Sequence, residues 1–417
     1  MKRKRIMTIF SLSLLVFLDT LTVGLVIPLL AVMFSDGHNY FSLFSSSQSM
    51  LWYSLTVSLP IAMILFGAPF LGGLSDKFGR KKIILFSLLG ICVSTLLSIY
   101  SLNQGSLILF FVSRLLVGFF DSNQAIAQAA IADISGDSKE RVQNMTIVTL
   151  MATLGLIFGP VLGGIFSDPN IVSWFNLRTP FWFSMGLALL SLVWLFFSFS
   201  ETKKNNIKKK TTWSHNFIDL LKLIFNKKMF WLMLSLLALQ LSWAVIFQLT
   251  NLYLAKNYGY SSSNLGYFSA YITLIFSMFI VITTTLLLKI LAQSRILKLG
   301  YIIFTLGALS LVLLSKYELG IWITLTFIAI GMGLTYNIFL SLISESATNA
   351  MQGRIMGVAT AVVAIAWLLG ALYISLISII TTFNVFIGTA LISLLGLLII
   401  LPYNAATSSV QSLKSSS

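Results

Sequence analysis

Residues Gly72-Gly73-Leu74-Ser75-Asp76-Lys77-Phe78-Gly79-Arg80-Lys81-Lys82 decide the fold, because they set a charged, glycine-cornered loop between two long apolar segments. Glycine can turn with φ > 0 where other residues strain, and the charges keep the loop in water. The flanking segments, 50–71 and 83–101, each supply the ~20 apolar residues that a helix needs to cross a hydrocarbon core of ~30 Å. Working outward, stretches of the same kind occupy 6–33, 107–132, 142–166, 179–199, 229–254, 265–288, 296–314, 320–343, 355–379 and 384–402. They are continuously apolar, without the alternation of barrel strands, and therefore read as twelve transmembrane helices.

Bulk composition agrees. A chain of 417 residues with 57% hydrophobic and 9% charged residues cannot surround one core with a polar exterior, so its solvent is lipid. The net charge of +15 is a matter of topology rather than of nucleic-acid binding. Of the Lys and Arg residues, only Arg178, Lys256 and Lys316 fall on one side of the membrane and Arg114 within a span; the rest lie on the other side. The positive-inside rule makes that other side, with both termini and the 201–228 connection, cytoplasmic. The first span is too long for a removable signal peptide and holds Asp19 and Pro28, so it is expected to stay as a helix. Cys92 is the single cysteine, and His38 and His215 lie apart in loops. No disulfide framework, metal site, cofactor site, nucleotide loop or nucleophile–base pair is expected, and the chain does not read as an enzyme.

Charges inside the bilayer cost ~3 kcal/mol or more and are candidates for function. Three lie away from span ends: Asp19 in the first span, and Arg114 and Asp121 in the fourth. Arg114 and Asp121 are seven residues apart, which puts them on one helix face about 10.5 Å apart in height. Gly118, Gln124 and Gln128 extend that polar stripe. At ~1.5 Å per residue, Asp19 sits at a height between the other two, so all three can gather at one cavity. A buried carboxylate takes up a proton, and a neighbouring arginine favours its release.

Residues 201–228 separate two halves of six spans. The expected organisation is a six-helix bundle over 1–200, a cytoplasmic linker over 201–228, a second bundle over 229–402 and a cytoplasmic tail over 403–417. A shift of about 213 positions gives a faint internal echo: Gly118 falls near Gly331 and Arg141 falls on Arg354.

Several motifs resemble those of the major facilitator superfamily. Gly72, Leu74, Asp76, Gly79, Arg80 and Lys81 are in register with its G-x-L-a-D-r-x-G-r-k loop, and Arg114-x-x-x-Gly118 is similar to its R-x-x-x-G element. Gly155-x-x-x-Gly159-Pro160-x-x-Gly163-Gly164 in the fifth span resembles the element that marks drug:H+ antiporters, although Thr146 stands where the longer form has glycine. Asp19-x-x-x-x-Gly24-Leu25-x-x-Pro28, and Pro180-Phe181-Trp182 leading to Glu201-Thr202-Lys203, look like the tetracycline-exporter group. The resemblance implies two parallel six-helix repeats with a substrate site between them. It also implies a conformational latch at Gly72, Asp76, Gly79, Arg80 and Lys81, through a carboxylate that pairs with arginines or caps a helix. Asp19 and Asp121 are the candidate proton carriers and Arg114 their tuner; Asp121 and Asn123 depart from the small residues usual after R-x-x-x-G.

The second half has no charge in mid-membrane, only amides and aromatics. Gln240, Trp243 and Phe247 share one face of the seventh span. Gln240 and Trp243, with Gln248, Asn337, Gln124 and Gln128, form the candidate substrate-binding set, an apolar lining with a few oriented polar groups. The expected function is export of a small amphiphilic, drug-like compound across the inner membrane by proton antiport. Its partners would be substrate, protons and lipid, with the chain acting as a monomer. The alternatives are export of an endogenous metabolite such as a siderophore, or proton-coupled import.

Overall fold

A computed structural model describes residues 2–34, 41, 46–121, 123–135, 138–202, 227–345, 352–378 and 381–402. Most of the 201–228 linker and the 403–417 tail lie outside the described residues, as do the side chains of Arg141 and Arg354. Among the described residues the regular structure is helical. In chain order the helices are α1 (Lys2–Met33), α2 (Ser46–Phe78), α3 (Arg80–Gln104), α4 (Leu107–Phe120), α5 (Asn123–Ile134), α6 (Ser138–Ser167) and α7 (Thr179–Ser198). Then come α8 (Lys227–Tyr258), α9 (Ser262–Ile282, continued by a π turn, Thr283–Leu287, and a short helix, Leu288–Ile290), α10 (Gln293–Leu314), α11 (Glu318–Glu345), α12 (Gln352–Ser375) and α13 (Thr382–Ile400). Twelve spans among them are long and apolar enough to cross a membrane, with α4 and α5 together forming the fourth. Large apolar side chains such as Ile108 and Phe197, 76% and 81% exposed, suit contact with lipid rather than water.

Two expectations of local structure change. The motif at 72–82 is not an extended loop: α2 continues through Phe78, α3 begins at Arg80, and Gly79 alone stands between them at φ 110°. A Cβ on Gly72 or Gly73 would meet nothing within 4 Å, so those glycines mark no close approach, and Gly79 carries the turn. The fourth span is not one continuous helix either. It stops at Phe120 and restarts at Asn123, around short polar side chains that compete with helical backbone bonds.

The chain divides into two compact units. Unit 1 comprises Met1–Lys210, Ala244–Leu274 and Trp367–Val385; unit 2 comprises Thr211–Trp243, Ile275–Ala366 and Phe386–Ser417. In unit 1, α1 packs most extensively on α6. Leu12, Leu15, Val16, Ile126, Ala130 and Val148 are at the centre of a buried core there. In unit 2, α10 and α11 pack through Gly300, Gly307 and Gly331. Buried Tyr301 donates to the Ser235 carbonyl at 3.2 Å, and the hydroxyls of Thr305 and Ser393 bond at 2.8 Å.

Candidate functional site

The buried charges of unit 1 come together. Asp19 on α1 and Arg114 on α4 are 7% and 8% exposed, and Asn123, the first residue of α5, is fully buried beside Asp19. Asp121 lies at the break between α4 and α5, close enough to act electrostatically on both Asp19 and Arg114. Yet among the described residues none of the ion pairs within 4.0 Å joins Arg114 to either carboxylate. Among the described residues, Asp19 Oδ2 and Arg114 Nε are buried without a hydrogen-bond partner.

A cavity of about 60 Å³ opens beside this group, lined by Thr22 of α1, Pro60 of α2, Thr95 and Ser98 of α3, Arg114, Asp121 and Ser184 of α7. That is room for several waters, each needing about 10–15 Å³ on this measure. Gly118 lets α4 reach α2 here, since a Cβ on it would lie 2.7 Å from the Pro60 carbonyl carbon. Gln124 and Gln128 lie past the helix break on α5, exposed and half-buried.

At the glycine corner, Asp76 pairs with Arg80 of the same motif at 2.6 Å, and Arg80 also reaches Asp133 at 3.2 Å and Ser75 at 2.6 Å. The first amides of α3 are capped by Glu201, which accepts from Arg80 N at 2.9 Å and Lys81 N at 3.2 Å. Glu201 thus holds a helix start 121 residues away in sequence. Lys81 Nζ donates to the Phe196 carbonyl at 2.7 Å.

On α6 the small residues work as backbone contacts. A Cβ on Gly155, Gly159 or Gly163 would strike α1 at Phe17, Leu21 or Leu25, and Pro160 Cδ lies 2.8 Å from where Gly24 would place one. Gly164 faces the start of α9 instead, against Ser262 and Ser263.

The polar groups proposed for substrate divide between the units. In unit 2, Gln240 is 2% exposed with Nε2 unbonded, and Trp243 stacks on Phe276 at 6.0 Å, which in turn meets Tyr336 at 6.2 Å. Asn337 is half-buried on α11. In unit 1, Gln248 is 1% exposed and tied to α2: its carbonyl accepts from Tyr53 at 3.1 Å and its Oε1 from Ser58 at 3.5 Å. Asn251 accepts from Ser269 at 3.0 Å and donates to the Phe247 carbonyl at 2.8 Å. Tyr53, Ser58 and Asp168 were not singled out by the sequence, because each is recognisable only by a distant partner. Among the described residues, no group of three or more His, Cys, Asp or Glu is placed to hold a metal ion.

Twelve apolar helices with a buried carboxylate–guanidinium group define a multi-pass membrane protein of the transporter class. Residues 12–371 match the Major Facilitator Superfamily, and the chain belongs to that family, whose members are transporters of small molecules and not enzymes. It is 24% identical over 377 residues to the class H tetracycline resistance protein of Pasteurella multocida, covering 89% of this chain and 88% of that one. It is 32% identical over 197 residues to multidrug resistance protein 2 of Bacillus subtilis, covering 47% of this chain and 44% of that protein. Among solved structures it resembles a D-xylose–proton symporter, with a TM-score of 0.75 at 14% identity over 96% of this chain and 99% of the other.

Proposed function

We propose that the protein is a secondary active exporter, moving a small amphiphilic organic compound out across the inner membrane by proton antiport and alternating access. The observation that supports coupling is the buried set Asp19, Asp121 and Arg114, which share one environment without a direct ion pair. With both carboxylates ionised the set carries one net negative charge; one added proton makes it neutral. A net charge held in hydrocarbon costs ~3 kcal/mol or more. Access to water on one side or the other is thereby linked to binding or losing that proton, with Asp19 and Asp121 as carriers and Arg114 as tuner.

The corner at Gly72, Asp76, Gly79, Arg80 and Lys81 acts in this reading as a conformational latch, through the Asp76–Arg80–Asp133 pairs and the Glu201 cap. The α6 element Gly155, Gly159, Pro160, Gly163 and Gly164 shapes the moving contact with α1. Gln240, Trp243, Gln248 and Asn337 select the substrate, with Gln124 and Gln128 contributing from the first half. The names of the relatives, tetracycline and multidrug resistance proteins, favour a drug-like compound over a sugar or metabolite. The protein works as a monomer.

The test is accumulation of tetracycline, and separately of a panel of fluorescent amphiphiles, in everted membrane vesicles with and without the protein. Protein-dependent accumulation driven by a pH gradient, acid inside, is expected. Accumulation that depends on the opposite gradient would replace export with import.

A further inference from the structure

Within unit 1, the start of α9 closes on the end of α6. Backbone approaches backbone there: a Cβ on Gly164 would lie 2.5 Å from the Ser262 carbonyl oxygen and 2.9 Å from Ser263 Cα. Immediately beyond α6, Asp168 is only 5% exposed. Its Oδ2 accepts a 2.6 Å hydrogen bond from the Ser263 hydroxyl, and its Oδ1 accepts two, at 3.0 Å each, from the backbone and side-chain amides of Asn170. The Ser261 and Ser263 hydroxyls are themselves bonded at 2.8 Å.

This end of α6 and α9 is the one opposite the Lys/Arg-rich corner at 77–82. Two other ties at the same end join neutral groups: Tyr53 to the Gln248 carbonyl, and Ser58 to the Trp367 carbonyl at 2.9 Å. The Asp168–Ser263 bond has an ionised acceptor, and such bonds are roughly twice as strong as neutral ones.

We propose that Asp168 and Ser263 are positioning residues for transport: their hydrogen bond clasps segment 244–274 to α6 while the face opposite the basic corner is shut, and it must break for that face to open. The proposal rests on the alternating-access reading, in which one group of helices rocks against another. Burial pushes the Asp168 carboxyl up, but hydrogen bonds from Ser263, Asn170 and Ser261 outweigh it and hold the group below its usual 3.8. The groups acting on it are all neutral. The clasp therefore stays charged wherever a physiological proton gradient operates, and its breaking is a conformational event rather than a titration.

The test uses the full-length chain with Cys92→Ser and a reporter thiol at Thr250→Cys, a site on α8 in the same unit that is 1% exposed. A membrane-impermeant maleimide is added to intact cells without substrate, so that the result does not depend on what the protein exports. The parent should label slowly. Ser263→Ala and Asp168→Ala should each label about tenfold faster, equivalent to ~1.4 kcal/mol. Ser263→Thr, which keeps the hydroxyl, should stay within about twofold of the parent, a rescue that a loss of packing alone would not give. Alanine favours the first turn of α9 at least as well as serine, so Ser263→Ala keeps the test readable even where Asp168→Ala lowers the yield. Parental labelling rates in Ser263→Ala, or equal acceleration by Ser263→Thr and Ser263→Ala, would overturn the clasp.

Discussion

Gly159→Ala is the substitution whose cost follows most directly from the packing of α1 on α6. A methyl group on Gly159 would lie 2.6 Å from the Leu21 carbonyl oxygen and 2.7 Å from Gly24 Cα. Both are backbone atoms, so no side chain can turn aside, and α6 must move off α1 by several tenths of an ångström to reach ordinary contact. Overpacking of this kind costs about 1–3 kcal/mol. Alanine is better than glycine in a helix interior by about 0.8–1 kcal/mol, which offsets part of that. The net expectation is a loss of about 0–2 kcal/mol. Gly186 on α7 supplies the control, because a Cβ there would meet nothing within 4 Å. Gly186→Ala should leave the protein unchanged or more stable. Thermal unfolding in detergent, followed by loss of the monodisperse peak, measures both. If Gly159→Ala melts at or above Gly186→Ala, the α1–α6 contact is not the tight backbone seam described here.

Three further outcomes are expected. Asp168 has a folded-state pKa below 3.8, so its stabilising contribution is present above that value and disappears as pH falls through the depressed one; the melting difference between wild type and Asp168→Asn should be flat from about pH 5 to 8 and vanish only in stronger acid. Gly79→Ala forces an alanine to φ 110° and drives its methyl into Glu201, so it should destabilise more than Glu201→Gln, which keeps one cap acceptor and should cost about 1 kcal/mol or less in the same melting assay. Trp243→Ala removes the ring stacked on Phe276 and should change the apparent affinity for the transported compound by about tenfold while leaving the pH dependence of transport in place; an unchanged affinity, with altered specificity in Gln124 or Gln128 variants instead, would reverse the proposed division of labour.

The spans were legible because hydrophobic length is a local property, and the two turn-defining features nearest to being legible were Gly79 and the polar run Asp121 to Asn123. Glycine identity marked the corner, but three glycines in the motif look alike, and only the observed φ separates Gly79 from Gly72 and Gly73. The Asp121 break stayed hidden because short polar residues are compatible with a helix until tertiary neighbours hold them otherwise. Asp19, Arg114 and Asp121 could be brought to similar heights by the rise per residue alone, whereas the lack of a direct ion pair among them depends on side-chain directions that spacing does not carry. The long-range partners had no local signal at all. Glu201 reads as a span-end acid and Asp168 as a loop acid, yet one caps a helix 121 residues away and the other holds a serine 95 residues away. The compact units also cut through α8, α9, α12 and α13, a division that charge and composition, which mark only the 201–228 connection, do not reveal.

Proton coupling through the first-half carboxylates is the central claim, and reconstituted protein with an imposed pH gradient tests it most directly. Wild-type protein in proteoliposomes should drive uphill the compound that the vesicle assay identifies, and Asp19→Asn and Asp121→Asn should each abolish that uphill movement while exchange of the same compound across the membrane at equal pH survives in at least one of them. Uphill transport at the wild-type rate in the Asp19→Asn/Asp121→Asn double variant would contradict the account.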